Sequence, residues 1–145
     1  MAVSATHTGW HYDPDNSRLN FYYRGTRVGH INGSGSLALA DGGTVTQASN
    51  KSTGVTLSTN SGQITMDDAN LADDTEISFV VTNTNVAATD VIIVNHGSAG
   101  TMGAYVVQAS NIGSGTFEIS VKNVSGGTLG EAIVINFVVI KGASS

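Results

Sequence analysis

The sequence predicts an all-β protein: an eight-stranded, antiparallel, jelly-roll-like sandwich preceded by an N-terminal arm and a β-hairpin. Three observations lead there. Gly accounts for 18 of the 145 residues, Pro for one and Cys for none, and charged residues make up only 12%. With Ser, Thr and Asn filling most polar positions, that profile suits strands and turns better than helices built on Ala, Leu, Glu and Lys. From Thr44 onward, eight short β-forming segments (44–48, 54–58, 62–66, 75–82, 90–95, 104–110, 115–122 and 132–140) are separated by turn-forming residues, and eight strands is the jelly-roll number. The last of them, within AIVINFVVIK at 132–141, is apolar on both parities: Ile133, Ile135, Phe137 and Val139 on one, Val134, Val138 and Ile140 on the other, broken only by Asn136. A strand with one wet face alternates apolar with polar, so this strand needs cover on both sides, from its own core and from another layer or subunit.

In chain order, residues 1–17 read as a polar arm carrying Trp10 and Tyr12 beside the turn signal Asp13-Pro14-Asp15-Asn16. Segment 18–31 reads as a hairpin turning near Arg24-Gly25-Thr26, and it gathers Arg18, Arg24 and Arg27 next to Phe21, Tyr22 and Tyr23. A lone hairpin is marginal in water, so this one is expected to pack on the main domain or on a partner. The Gly/Ser-rich 32–43 is the linker, which gives an N-terminal region at 1–43 and a sandwich at 44–145. Strands 75–82 and 115–122 alternate cleanly and have one wet face, whereas 104–110 and 132–140 are dry on both. A jelly roll places the two dry strands in one sheet and the two wet ones in the other, but Val91-Ile92-Ile93-Val94, also dry on both faces, does not fit. The only helix-like piece is 67–74.

No motif carries convincing chemistry. His7 and His11 with Asp13 and Asp15 offer metal-ligand types but sit on an arm that does not preorganise them. His96, with Asp90 and Ser98 nearby, lacks the GxSxG turn of a serine hydrolase and reads better as a histidine bonded at a strand end. The Gly-rich pieces at 33–35 and 97–100 match neither a dinucleotide fingerprint nor a phosphate loop. No catalysis, metal or cofactor is expected. A net charge of −5 with six basic residues leaves no footprint for nucleic acid. The arginine and aromatic hairpin is therefore assigned to protein docking, a role in which Arg and Tyr are enriched. The start MAVSATHTGWHY lacks a secretory signal, and no run nears the roughly 20 apolar residues that span a bilayer. The expectation is synthesis in a cytoplasm, with no membrane partner.

The text GTVTQASNKSTGVTLSTNSGQITM, then AATDVIIVNHGSAGTMGAYVV, then INFVVIKGA, about two thirds of the chain, resembles a segment that recurs in tailed-bacteriophage structural proteins. There it occurs in head-decoration (cement) proteins and near the C-termini of tail-fibre or tailspike proteins. Departures centre on Asp67-Asp68 and Asp73-Asp74. The resemblance implies a trimeric β-sandwich in a virion. A short chain with an arm and hairpin, without a fibrous shaft, favours the head. The expected function is a capsid decoration protein, made in the host cytoplasm, that binds the exterior of the shell. Its partners would be the major capsid protein and two further copies of itself in a homotrimer. Docking falls to Trp10, Tyr12, Arg18, Phe21, Tyr22, Tyr23, Arg24 and Arg27, and the trimer interface to Tyr105, Val107, Ile135, Phe137 and Val139. The alternative is a tail-fibre or tailspike module that binds a receptor.

Overall fold

The computed structural model describes residues 4, 6–39 and 42–142, and every regular element among them is a strand. Positions 1–3 and 5 of the expected arm, 40 and 41 of the expected linker, and 143–145 at the end of the expected sandwich lie outside the described residues. There are twelve strands, where the sequence predicts eight and a hairpin: β1 (Gly9–Asp13), β2 (Arg18–Tyr23), β3 (Thr26–Asn32), β4 (Leu37–Leu39), β5 (Gly42–Thr46), β6 (Val55–Thr56), β7 (Ser61–Thr65), β8 (Glu76–Thr82), β9 (Val91–Ser98), β10 (Tyr105–Gly113), β11 (Thr116–Asn123) and β12 (Val134–Ile140). The chain falls into two compact units, Met1–Asp41 and Gly42–Ser145.

The first unit is one antiparallel sheet in the order β1-β2-β3-β4. Arm, hairpin and linker are therefore not separate pieces, because all of β1 pairs with β2, from Arg18 to Tyr22, and β4 closes onto β3. Local chemistry makes each turn. The Asp13 carboxylate accepts from the Asn16 backbone N–H, and Ser17 takes φ 46° to enter β2. Arg24 and Gly25, at φ 48° and 78°, form a two-residue hairpin loop whose twist matches the strands. The Asn32 amide oxygen accepts the N–H groups of Ser34 and Ser36, which folds the 33–36 turn and brings Leu37 back beside Ile31. In a sequence these strands are hard to see, since β1 alternates aromatic with polar over five residues and β4 has three.

The second unit is a sandwich of two four-stranded sheets, β5-β7-β12-β9 and β10-β11-β8-β6. Its core interleaves Ile64, Ile135, Phe137 and Val139 of the first sheet with Phe79, Val81, Phe117, Ile119 and Val121 of the second. The Phe117 and Phe137 rings meet at 5.7 Å. The jelly-roll expectation is corrected here. Segments 104–110 and 132–140 lie in opposite sheets, β9 pairs with β12, and both β5–β7 and β6–β8 run parallel. The reason is a turn. Ser114-Gly115, with Gly115 at φ 80°, joins β10 to β11 through two residues, so β10 pairs with its neighbour in sequence and must follow it into that sheet. Segment 67–74 is not helical: Leu71 makes an isolated bridge to Leu129.

Buried polar groups fasten the connections. Lys51, 4% exposed, donates from Nζ to the Asp67 carbonyl and, at 2.6 Å, to that of Glu131. Burial pushes its pKa down, against the pull of Asp67, Asp68 and Glu131. Asn123, fully buried, donates to the carbonyls of Leu71 and Gly127 and accepts from the Ser125 N–H. Asn83 does the same between Thr59 and Asn85. These side chains stand in for backbone partners that irregular segments would otherwise lack inside the fold.

Candidate docking surface

Cross-strand register sorts the first unit into two chemically distinct faces. Trp10 lies opposite Phe21, Tyr12 opposite Leu19, Leu19 opposite Ile31, Ile31 opposite Leu37, and Leu39 opposite Gly29. Residues directly opposite share a face, so these side chains form one apolar surface. Gly29 is needed in it: a Cβ there would stand 3.0 Å from the Ala38 carbonyl oxygen and 3.4 Å from the Phe21 ring. Trp10 stands edge-on to Phe21, 4.6 Å between centroids, yet stays 66% exposed. Tyr12 and Leu37 are exposed to a similar degree. A single-layer sheet has no second layer of its own to cover such a face.

The other face carries Asn20 opposite His11 and His30, and Tyr22 opposite Arg27. His7 and His11 both stand edge-on to the Tyr22 ring, at 5.7 and 6.3 Å, and Arg27 donates to His30 Nδ1 at 3.2 Å. Arg18 is held by Asp13 through Nε at 3.1 Å. Asp13 thus serves a turn and an ion pair, and among the described residues no group of three or more His, Asp or Glu is placed to hold a metal.

The expected docking residues are therefore divided. Trp10, Tyr12 and Phe21 come together, and the alternation of β2 puts Tyr23 on their side. Tyr22, Arg18 and Arg27 belong to the opposite face, while Arg24 sits in the hairpin turn with its guanidinium 5.4 Å from the Tyr23 ring centroid. Sequence reading missed Leu19, Ile31, Leu37 and Leu39, which complete the apolar face. Leu37-Ala38-Leu39 was the available signal, an alternating triplet inside what looks like a linker.

In the sandwich, the residues expected at a trimer interface lie inward. Ile135, Phe137 and Val139 are at most 4% exposed, Tyr105 is buried, and Val107 packs against the same core. Their parity is the one that the facing sheet covers. The outward parity of β12 is Val134, Asn136, Val138 and Ile140, next to Ile93 and Val91 of β9 by register. A row of uncharged polar side chains, Thr44, Gln63, Asn136 and Asn95, crosses all four strands beside this patch, and Gln63 Nε2 donates to Asn136 Oδ1 at 3.0 Å. An open groove of about 490 Å³ runs along it past Gly42, Gly43 and Gly62. Position 62 has no room for a side chain, since a Cβ would come within 2.8 Å of both Leu57 and Phe137.

His96 and Asp90, weighed above against a serine hydrolase, each have hydrogen-bond partners within the fold. His96 Nε2 bonds the Ala99 carbonyl at 2.7 Å and its ring stands edge-on to Tyr105. Tyr105 donates to Glu131 at 2.9 Å, and burial together with that carboxylate pushes the phenol up to about 12. Glu131 also accepts from the backbone N–H and hydroxyl of Thr101, which, with Tyr105, hold its carboxyl below the usual range. Asp90 is engaged by Lys141 and by the N–H groups of Ala87 and Gly142. The arrangement ties loops to the sandwich. Compared with known protein families, curated proteins and solved structures, the chain finds no match.

Proposed function

We propose that this chain is a decoration protein of a tailed-bacteriophage head, associated as a homotrimer, which binds the exterior of the capsid shell through the apolar face of its N-terminal sheet and helps hold neighbouring capsid subunits together. The observation that carries docking is the exposure of Trp10, Tyr12, Leu37 and Leu39 on one side of a single-layer sheet. Contiguous exposed apolar surface of this kind marks an interaction site, and each such side chain that becomes covered contributes roughly 1.5–3 kcal/mol. The virion and the capsid come from the sequence resemblance. Trp10 is the only tryptophan in the chain, so its fluorescence reports directly on this face.

The test is a titration of purified protein with empty capsids. Trp10 emission should shift to the blue, and Trp10→Ala/Tyr12→Ala should lose binding while keeping its circular dichroism. Full occupancy by the double variant would refute docking through this face.

A second reading, a receptor-binding module of a tail fibre or tailspike, is favoured by the same exposed rings, which could stack on the sugars of host-surface glycans. Labelling the protein in purified virions separates head from tail. Glycan binding quenched by Trp10→Ala would move the assignment to the tail.

A further inference from the structure

We propose that the outer face of the β5-β7-β12-β9 sheet, centred on Val91, Ile93, Val138 and Ile140, is the surface through which copies of this chain associate. The inference deepens the trimer reading above and rests on it, but not on the capsid. Its first ground is topological. Of the three strands whose sequences read as apolar on both parities, β10 goes to the opposite sheet while β9 and β12 lie side by side, so that their surplus apolar side chains form one patch; Val91, Ile93 and Ile140 are each about half exposed. Two dry strands in contact, with one face in the core, leave one shared face for a partner.

Charge identifies the partner. None of the four strands places a charged side chain outward, whereas the outer face of the opposite sheet carries Glu76, Glu118 and Lys122. Each copy has a net charge of −5. Like-charged molecules approach most cheaply where neither presents charge, and a neutral face gives no handle to an oppositely charged partner of another kind. The polar residues beside the patch, Gln63 and Asn136, carry both donor and acceptor on one amide, so a copy of the same face can satisfy them. Covering the patch by rotational symmetry also closes the assembly instead of extending it.

Three proteins measured by light scattering at micromolar concentration test this. The wild type is expected as a trimer, Ile93→Glu as a folded monomer, and Val106→Glu, on the outer face of the other sheet, as a trimer. Because the chain has no cysteine, single-cysteine variants give an independent measure. Val138→Cys should form disulfide-linked copies under mild oxidation, and Ser78→Cys should not. A monomeric wild type overturns both this inference and the trimer reading, while capsid titration still judges docking separately. A trimer that survives Ile93→Glu, or cross-linking no greater through residue 138 than through 78, overturns the assigned face and leaves the trimer standing. If Ile93→Glu does not fold, the cysteine pair decides.

Discussion

Asp90 shows how one side chain can close a fold. Its carboxylate gathers Lys141 from the end of the chain and two backbone N–H groups, and the Lys141 hydrogen bond, followed by that of Ala87, brings its pKa down to about 2. A carboxyl whose folded value lies below its unfolded value of about 3.9 contributes stability that is complete above the unfolded value and fades as pH falls through the folded one. Thermal melts taken from about pH 5 down to about pH 2 should show a declining midpoint, and Asp90→Asn should flatten that decline. Lys51 tests the same idea without titration. Lys51→Met keeps the aliphatic stem but leaves the carbonyls of Asp67 and Glu131 without their donor, which should cost about 1–3 kcal/mol in chemical denaturation. A loss well under that range would mean that water replaces the ammonium.

For β12 the two parities carry different work, and single substitutions can separate them. Phe137→Asp should abolish folding, since the ring is 4% exposed and packs on Phe117, so the new carboxylate would be buried without a partner. Solubility and circular dichroism would report it. Gly62→Ala on β7 acts from the neighbouring strand. Its methyl group would stand 2.9 Å from the Gly43 carbonyl oxygen as well as against Leu57 and Phe137, so the strand must shift, at about 1–3 kcal/mol. A Gly62→Ala melt identical to wild type would show that the Leu57 and Phe137 rotamers absorb the contact.

On the proposed function, the two units divide the labour of the molecule. The sandwich holds a closed core from Val55 to Val139, so a protein beginning at Gly42 should fold, melt cooperatively and keep its oligomeric state, yet fail to bind capsids. The proposed docking face, Trp10, Tyr12, Leu37 and Leu39, is apolar, with Arg18 and Arg27 on the opposite face of the sheet. Capsid affinity should therefore change little between low and moderate salt, whereas docking through the arginines would weaken with screening. A steep salt dependence would transfer the contact to the histidine- and arginine-bearing face.

Periodicity belongs to one strand at a time, and that much the amino-acid sequence determined alone. The all-β class, the segments that overlap β5 to β12, the wet outer faces of β8 and β11 and the double dryness of β9 and β12 are all local patterns. They arise because side chains alternate whatever lies beside the strand. Trp10 and Tyr12 stood out for the same local reason, as large rings in a polar stretch. Only the tertiary structure decided which strand lies beside which. The two-residue turn at Ser114-Gly115 holds β10 to β11, the pairing of β9 with β12 sets Val91 and Ile93 beside Ile140 and Val138 on one outer face, and the facing sheet settles that Ile135, Phe137 and Val139 point into the core. The N-terminal sheet was hidden for a related reason. Strands of five and three residues, such as β1 and β4, have too few alternations to be read on their own, and their faces exist only once Trp10 meets Phe21 and Leu37 meets Ile31 across the backbone hydrogen bonds.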